Sequence, residues 1–177
     1  MKKIMMVLIT ILALAAAGCS QPNEPINQET MVKDENTIME KDSIIQDEIS
    51  TMQSRYNGNL LAGKTSLYLD FTKEDYNNAL KKNKIIVLNF YASWCPTCKA
   101  EQPEAFAAFN DMNYENVVGF RVNYKDSDTD ADEEALAKEF GIPYQHTKVI
   151  LKNGQKVAKS LEAWNRQRYL DEIAKVQ

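Results

Sequence analysis

Cysteine is scarce in this 177-residue sequence: Cys19, Cys95 and Cys98 are the three, too few for the disulfide framework that staples small secreted domains. A structural zinc site built on Cys95 and Cys98 would need about two more ligands, and what remains is Cys19 and the single histidine, His146. Basic residues form no stripe or cluster, and 21 Lys and Arg against 25 Asp and Glu leave a net charge of −4. That balance excludes the footprint of a nucleic-acid binder and serves solubility. The six glycines form no phosphate-cradling loop, and no segment repeats.

What is present begins with a targeting segment. Lys2-Lys3 is a positive n-region, Ile4 to Ala17 an apolar run too short to span comfortably, and Ala16-Ala17-Gly18-Cys19 a small-residue cleavage site. It resembles a bacterial lipoprotein signal with Cys19 as the lipidated first residue, although Ala16 stands where Leu is usual. The expectation is a signal peptide over 1–18 and an extracytoplasmic domain, periplasmic or cell-surface, anchored to a membrane by lipid. Loss of Lys2 and Lys3 would take the net charge from −4 to −6.

Residues 19–64 read as a tether. Gln21 to Asn36 is polar, carries Pro22 and Pro25, and lacks aromatics, the composition of a linker. Over 37–56, Ile38, Ile45, Ile49, Met52 and Tyr56 fall on one stripe ended by Asn57-Gly58, which predicts an amphipathic helix. It could lie on the domain's own surface, bind a partner, or act as a spacer.

The rest of the chain is organised around Ile85 to Phe109. The β-branched run Ile85-Ile86-Val87-Leu88 leads through Asn89-Phe90-Tyr91 into Trp94-Cys95-Pro96-Thr97-Cys98, after which apolar residues recur at helical spacing. This predicts a buried strand, a tight turn and a helix opening at the cysteines. At a helix N-terminus Cys95 would titrate well below the free-thiol value of about 8.5. Cys98, one turn on, could close a disulfide with it.

The string Trp94-Cys95-Pro96-Thr97-Cys98-Lys99, following an apolar strand and followed by Pro103, resembles the thioredoxin superfamily. With Ala100-Glu101-Gln102-Pro103 included, it is similar to the family's membrane-anchored, extracytoplasmic thiol-disulfide reductases. The resemblance covers about Ser66 to Val176 and implies an α/β thioredoxin-like fold, a central mixed sheet flanked by helices, over a domain at 65–177. It implies Glu101 as a proton acceptor beside the thiols, and fits Asn89 where cytoplasmic members usually carry Asp. It further implies Trp94, Pro96, Thr97, His146 and Thr147 as a lip for protein thiol or disulfide substrates, and a membrane electron donor that re-reduces the pair. No cofactor is expected.

The elements around this stretch follow from pattern. Ser66 to Phe71 predicts a strand and Thr72 to Lys82 a helix with Thr72 as N-cap and Asp75 completing the start. Val117 to Asn123 predicts a strand and Asp132 to Phe140 a helix. A hairpin over Lys148–Leu151 and Lys156–Leu161 turns at Asn153-Gly154, and Asn165 to Val176 closes as a helix. Asp126, Asp128 and Asp130 have calcium-loop spacing, but Ala131 and Ala137 occupy the positions that need Gly and Glu. In Gly141-Ile142-Pro143-Tyr144-Gln145-His146-Thr147, His146 falls where the family's cis proline belongs; a cis bond there would cost about 2.5–4 kcal/mol. An imidazole at that place could stabilise the Cys95 thiolate as a cation or accept a thiol proton as a neutral base. Two readings stay open beside the reductase: a thiol oxidase, since direction depends on potential, and a Cu(I)-binding, copper-delivery module using the cysteines and His146.

Overall fold

The structure, a computed structural model, describes residues 55–177. Cys19 and most of the helix expected over 37–56 lie outside the described residues. In chain order the elements are β1 (Leu60–Ala62), β2 (Leu67–Asp70), α1 (Lys73–Lys81), β3 (Ile85–Tyr91), α2 (Pro96–Asp111), β4 (Val117–Asn123), α3 (Ala131–Glu139), β5 (Lys148–Lys152), β6 (Gln155–Ser160) and α4 (Arg166–Ala174). Among the described residues no helix is long and apolar enough to cross a membrane.

The strands form one mixed sheet in the order β1-β2-β4-β3-β5-β6. β2 and β3 each run parallel to β4, whereas β5 is antiparallel to β3, and β1 and β6 are antiparallel edges. The register places Tyr91 opposite Asn123 and Asn89 opposite Lys148. The C-terminal ends of β3 and β4 and the start of β5 therefore share one end of the sheet, and the site is there.

Strand alternation sorts the core into two layers. Leu67, Leu69, Ile86, Leu88, Phe90, Val118, Phe120, Val122, Val149 and Leu151 pack toward Tyr76 and Ala79 of α1 and Leu136 and Ala137 of α3. Tyr68, Ile85, Val87, Val117 and Ile150 face the other way, against Ala105, Ala108 and Phe109 of α2 and Tyr169 and Ile173 of α4. Position 119 shares this second face and is glycine because a Cβ there would overlap the Phe109 and Tyr68 rings.

The caps explain where the helices begin. Thr72 accepts the Asp75 N–H, as expected, but Asp75 does not reach back to the Thr72 N–H. Its Oδ2 takes the Thr72 hydroxyl and the Asn57 and Gly58 N–H groups. Asp130 and Glu133 form a reciprocal capping box for α3, which starts one residue before the expected Asp132. The sheet also starts earlier than Thr65, since Leu60–Ala62 pairs with β2. A three-residue strand is too short to show alternation against its neighbours, so it reads as tether.

Candidate functional site

Cys95 is the N-cap of α2, with Pro96 at the first helical turn, where a missing N–H is no loss because that donor has no intrahelical partner. The Cys95 Sγ accepts the Cys98 N–H at 3.2 Å, so its sulfur takes the place of a capping oxygen. Cys95 and Cys98 form a disulfide with Cα atoms 5.3 Å apart, inside the range of about 4.4–6.8 Å that such bridges use. Both are nearly covered, 5% and 4% exposed, against Ala92 and Tyr91.

The loop before the pair is held from below. Asp126 accepts the Ser93 N–H and hydroxyl, and the Trp94 Nε1 donates to the Lys125 carbonyl at 2.9 Å. The Ser93 N–H holds the Asp126 carboxyl below the ordinary carboxylate range. Asp126, Asp128 and Asp130 are thus engaged by Ser93, Ser127 and the α3 cap. Trp94 remains 57% exposed beside exposed Pro96 and Thr97.

Across from the disulfide lies the segment before β5. His146 has φ of 52°, a left-handed conformation that costs a non-glycine residue about 1–2 kcal/mol. Its N–H donates to the Phe90 carbonyl at 2.7 Å, and Phe90 donates back to Thr147 at 2.9 Å, so the β3–β5 ladder continues through it. No described peptide bond is cis, so the bond before His146 is trans. The imidazole Nδ1 lies 4.0 Å from the Cys95 Sγ. Burial, and then the Lys148 charge, push its pKa below the usual 6.5. His146 is therefore neutral at pH 7 and suited to accept a proton. Thr147 departs from its expected place in the lip: it is fully buried, and its hydroxyl donates to the Tyr144 carbonyl. Exposed Tyr144, its ring 5.1 Å from the imidazole, stands there instead.

Glu101, three residues beyond Cys98 on α2, is 4% exposed. Its Oε1 accepts the Trp164 N–H at 2.9 Å and the Tyr169 hydroxyl at 2.8 Å, and pairs with the Lys148 ammonium. Its Oε2 is buried without a hydrogen-bond partner, an orphan of the sort that marks proton chemistry or strain. Burial pushes the Lys148 pKa down to about 8, opposed by the Glu101 carboxylate. Asn89 bridges onward, donating to the Tyr169 and Tyr68 hydroxyls at 3.0 and 3.2 Å. The sequence singles out Glu101, Asn89 and His146 but not Lys148, Tyr169 or Trp164. A cation at the inward parity of an apolar strand was the available signal for Lys148.

The comparisons with known proteins agree with this geometry. Thioredoxin H4 of Arabidopsis thaliana is 36% identical over 91 residues, covering 49% of this chain and 67% of that protein. A Thioredoxin H-type of Brassica campestris is 38% identical over 97 residues, covering 52% and 72%. Among solved structures, the thioredoxin of Aeropyrum pernix superposes with a TM-score of 0.52 at 18% identity, over 69% of this chain and 96% of that one. Trxlp of Edwardsiella tarda gives 0.50 at 23% identity, over 58% and 94%; at such identities the likeness is one of fold. The sequence model of the Thioredoxin family matches residues 68–175, more than half of the chain with both cysteines inside, so this chain belongs to the thioredoxin family and is a thiol-disulfide oxidoreductase.

Proposed function

We propose that this protein reduces disulfides of extracytoplasmic proteins while anchored to a bacterial membrane by lipid on Cys19, with a membrane electron donor restoring its dithiol. The observation that carries the reading is the Cys95 sulfur, which accepts the Cys98 N–H at a helix N-terminus and faces a neutral imidazole 4.0 Å away. The helix N-terminus favours a reactive thiolate once the pair is reduced, and the neutral imidazole is placed to take up a thiol proton.

In the forward step the Cys95 thiolate attacks a substrate disulfide. One substrate sulfur leaves as a thiolate, and the other is held in a mixed disulfide with Cys95. Cys98 then gives its proton to Glu101 or His146 and attacks the Cys95 sulfur. The Cys95–Cys98 bond forms, the second substrate thiolate departs, and two electrons have passed to substrate. Exposed Trp94, Pro96 and Thr97, with His146 beside them, offer the surface on which the partner would rest.

Direction is tested by the reduction potential of the pair: a value near about −270 mV is expected, and one near about −120 mV would make the protein an oxidase. Anchoring is tested by fractionating cells that express wild type or Cys19→Ala; the variant is expected to leave the membrane fraction, and equal retention would remove the lipid from the reading.

A second reading has one observation in its favour. Donor atoms of Cys95, Cys98 and His146 lie within 4.8 Å of one another, a soft set that suits Cu(I) when the cysteines are reduced. Anaerobic Cu(I) titration of reduced wild type against His146→Ala decides it.

A further inference from the structure

Lys148 has no place in the chemistry above, yet it is the most completely held side chain near the site. It is 0% exposed, on a strand whose other inward residue on that face, Ile150, is apolar. An ammonium has three donors, and here three acceptors meet them: the His146 carbonyl at 2.9 Å, the Glu162 carbonyl at 2.9 Å, and Glu101 Oε1. The Trp164 and Tyr169 rings line the charge at 5.6 and 5.9 Å. Burying an ion pair costs several kcal/mol per ion before its partners compensate, and apolar residues of similar volume often do as well or better. Stability alone is therefore a poor reason for a lysine at this position.

The geometry supplies another reason. His146 sits in a conformation that its side chain disfavours, so something must hold it. Its N–H is held by Phe90, and its carbonyl is held by Lys148. Lys148 is fastened in turn to Glu101 on the helix that the cysteines open. One ammonium thus ties the redox helix to the residue facing its leading sulfur.

We propose that Lys148 is a positioning residue for thiol exchange: by gripping the His146 carbonyl from Glu101, it keeps the imidazole against Cys95. The inference rests on Cys95 as the attacking sulfur, though not on the direction of electron flow. An apolar side chain at 148 would fill the strand but release the loop.

The test is a double-mutant cycle read by the rate at which iodoacetamide alkylates Cys95 in the reduced full-length protein at pH 7, followed peptide by peptide. His146→Ala is expected to slow that rate about tenfold, the order of one hydrogen bond to a charged group. Lys148→Met is expected to slow it by a similar factor, and the double variant to lose no more than about twofold beyond either single one. Independent losses that multiply, or an unchanged rate in Lys148→Met, would overturn the proposal. Should Lys148→Met fail to fold because Glu101 is left unpaired, the cycle is run in Glu101→Gln, comparing His146→Ala there with His146→Ala in Glu101→Gln/Lys148→Met. Failure of Glu101→Gln/Lys148→Met to fold where Glu101→Gln folds also overturns the proposal, because the lysine would then be a folding requirement. Reduction of insulin disulfides, assayed in parallel, reports on the proposed function separately.

Discussion

On one face of the sheet Leu69, Ile86, Leu88, Phe120, Val149 and Leu151 meet α1 and α3 through apolar side chains. On the other, polar groups, all buried except half-buried His146, run in sequence from β2 to the disulfide: Tyr68 to Asn89, Asn89 to Tyr169, Tyr169 to Glu101, Glu101 to Lys148, Lys148 to His146, and His146 to Cys95. Apolar burial is non-directional and scales with area, so the first face can stabilise the fold without orienting any particular atom. Hydrogen bonds and ion pairs are directional and costly to leave unmade. The second face therefore transmits position, and the site is attached to it.

If the faces are divided in this way, variants on each should separate stability from reactivity. The largest contrast pairs Cys95→Ser with Phe120→Ala. The first is expected to reduce insulin disulfides no faster than background, whereas the second loses about 3–5 kcal/mol in urea and keeps Cys95 alkylation within about twofold. Next, Glu101→Ala should cost about 3–5 kcal/mol by stranding the Lys148 charge. Adding Lys148→Met should restore part of that loss, a recovery that no second substitution on the apolar face would give. Smaller again, Asn89→Leu leaves the Tyr68 hydroxyl without the donor it now accepts from, for about 1–3 kcal/mol; a loss below about 0.5 kcal/mol in urea would show the Asn89 end of the chain to be idle.

The smallest effect is a pH dependence. The folded pKa of His146 lies below 6.5, so as pH falls through that value the unfolded chain takes up the proton first. Stability held at pH 7 is then lost toward the folded pKa. The buried carboxyl of Glu133, whose pKa burial raises, acts in the opposite sense on acidification. The comparison is therefore between wild type and His146→Gln, unfolded in urea at pH 7 and 5.5: the variant should lose less on acidification, and identical losses would detach His146 from the effect.

Much of the fold was legible because it is written locally. Ile85–Tyr91 is a strand opened by an apolar run, Thr72 caps the helix Lys73–Lys81, Asn153-Gly154 turns the hairpin, and Val117–Asn123 forms as read. The redox pair was legible for the same reason, since strand, Cys-Pro-Thr-Cys and helix are contiguous. Thr147 was misplaced in the lip because the sequence does not tell which way a loop hydroxyl turns. The clasp of Asp126 on Ser93 was missed because its partners are 33 positions apart.

By itself the chain order determined the sulfur pair, its helix and its strand, because apolar periodicity, capping and i to i+3 spacing act over a few residues. The assembled sheet decided how Lys148, Tyr169 and Trp164 join the groups around the pair. Lys148 and Glu101 are 47 positions apart in the sequence and become partners because β5 lies antiparallel to β3 under α2. Parity along the strand marks Lys148 as inward, but which group meets its charge depends on neighbour order, a property of long-range pairing.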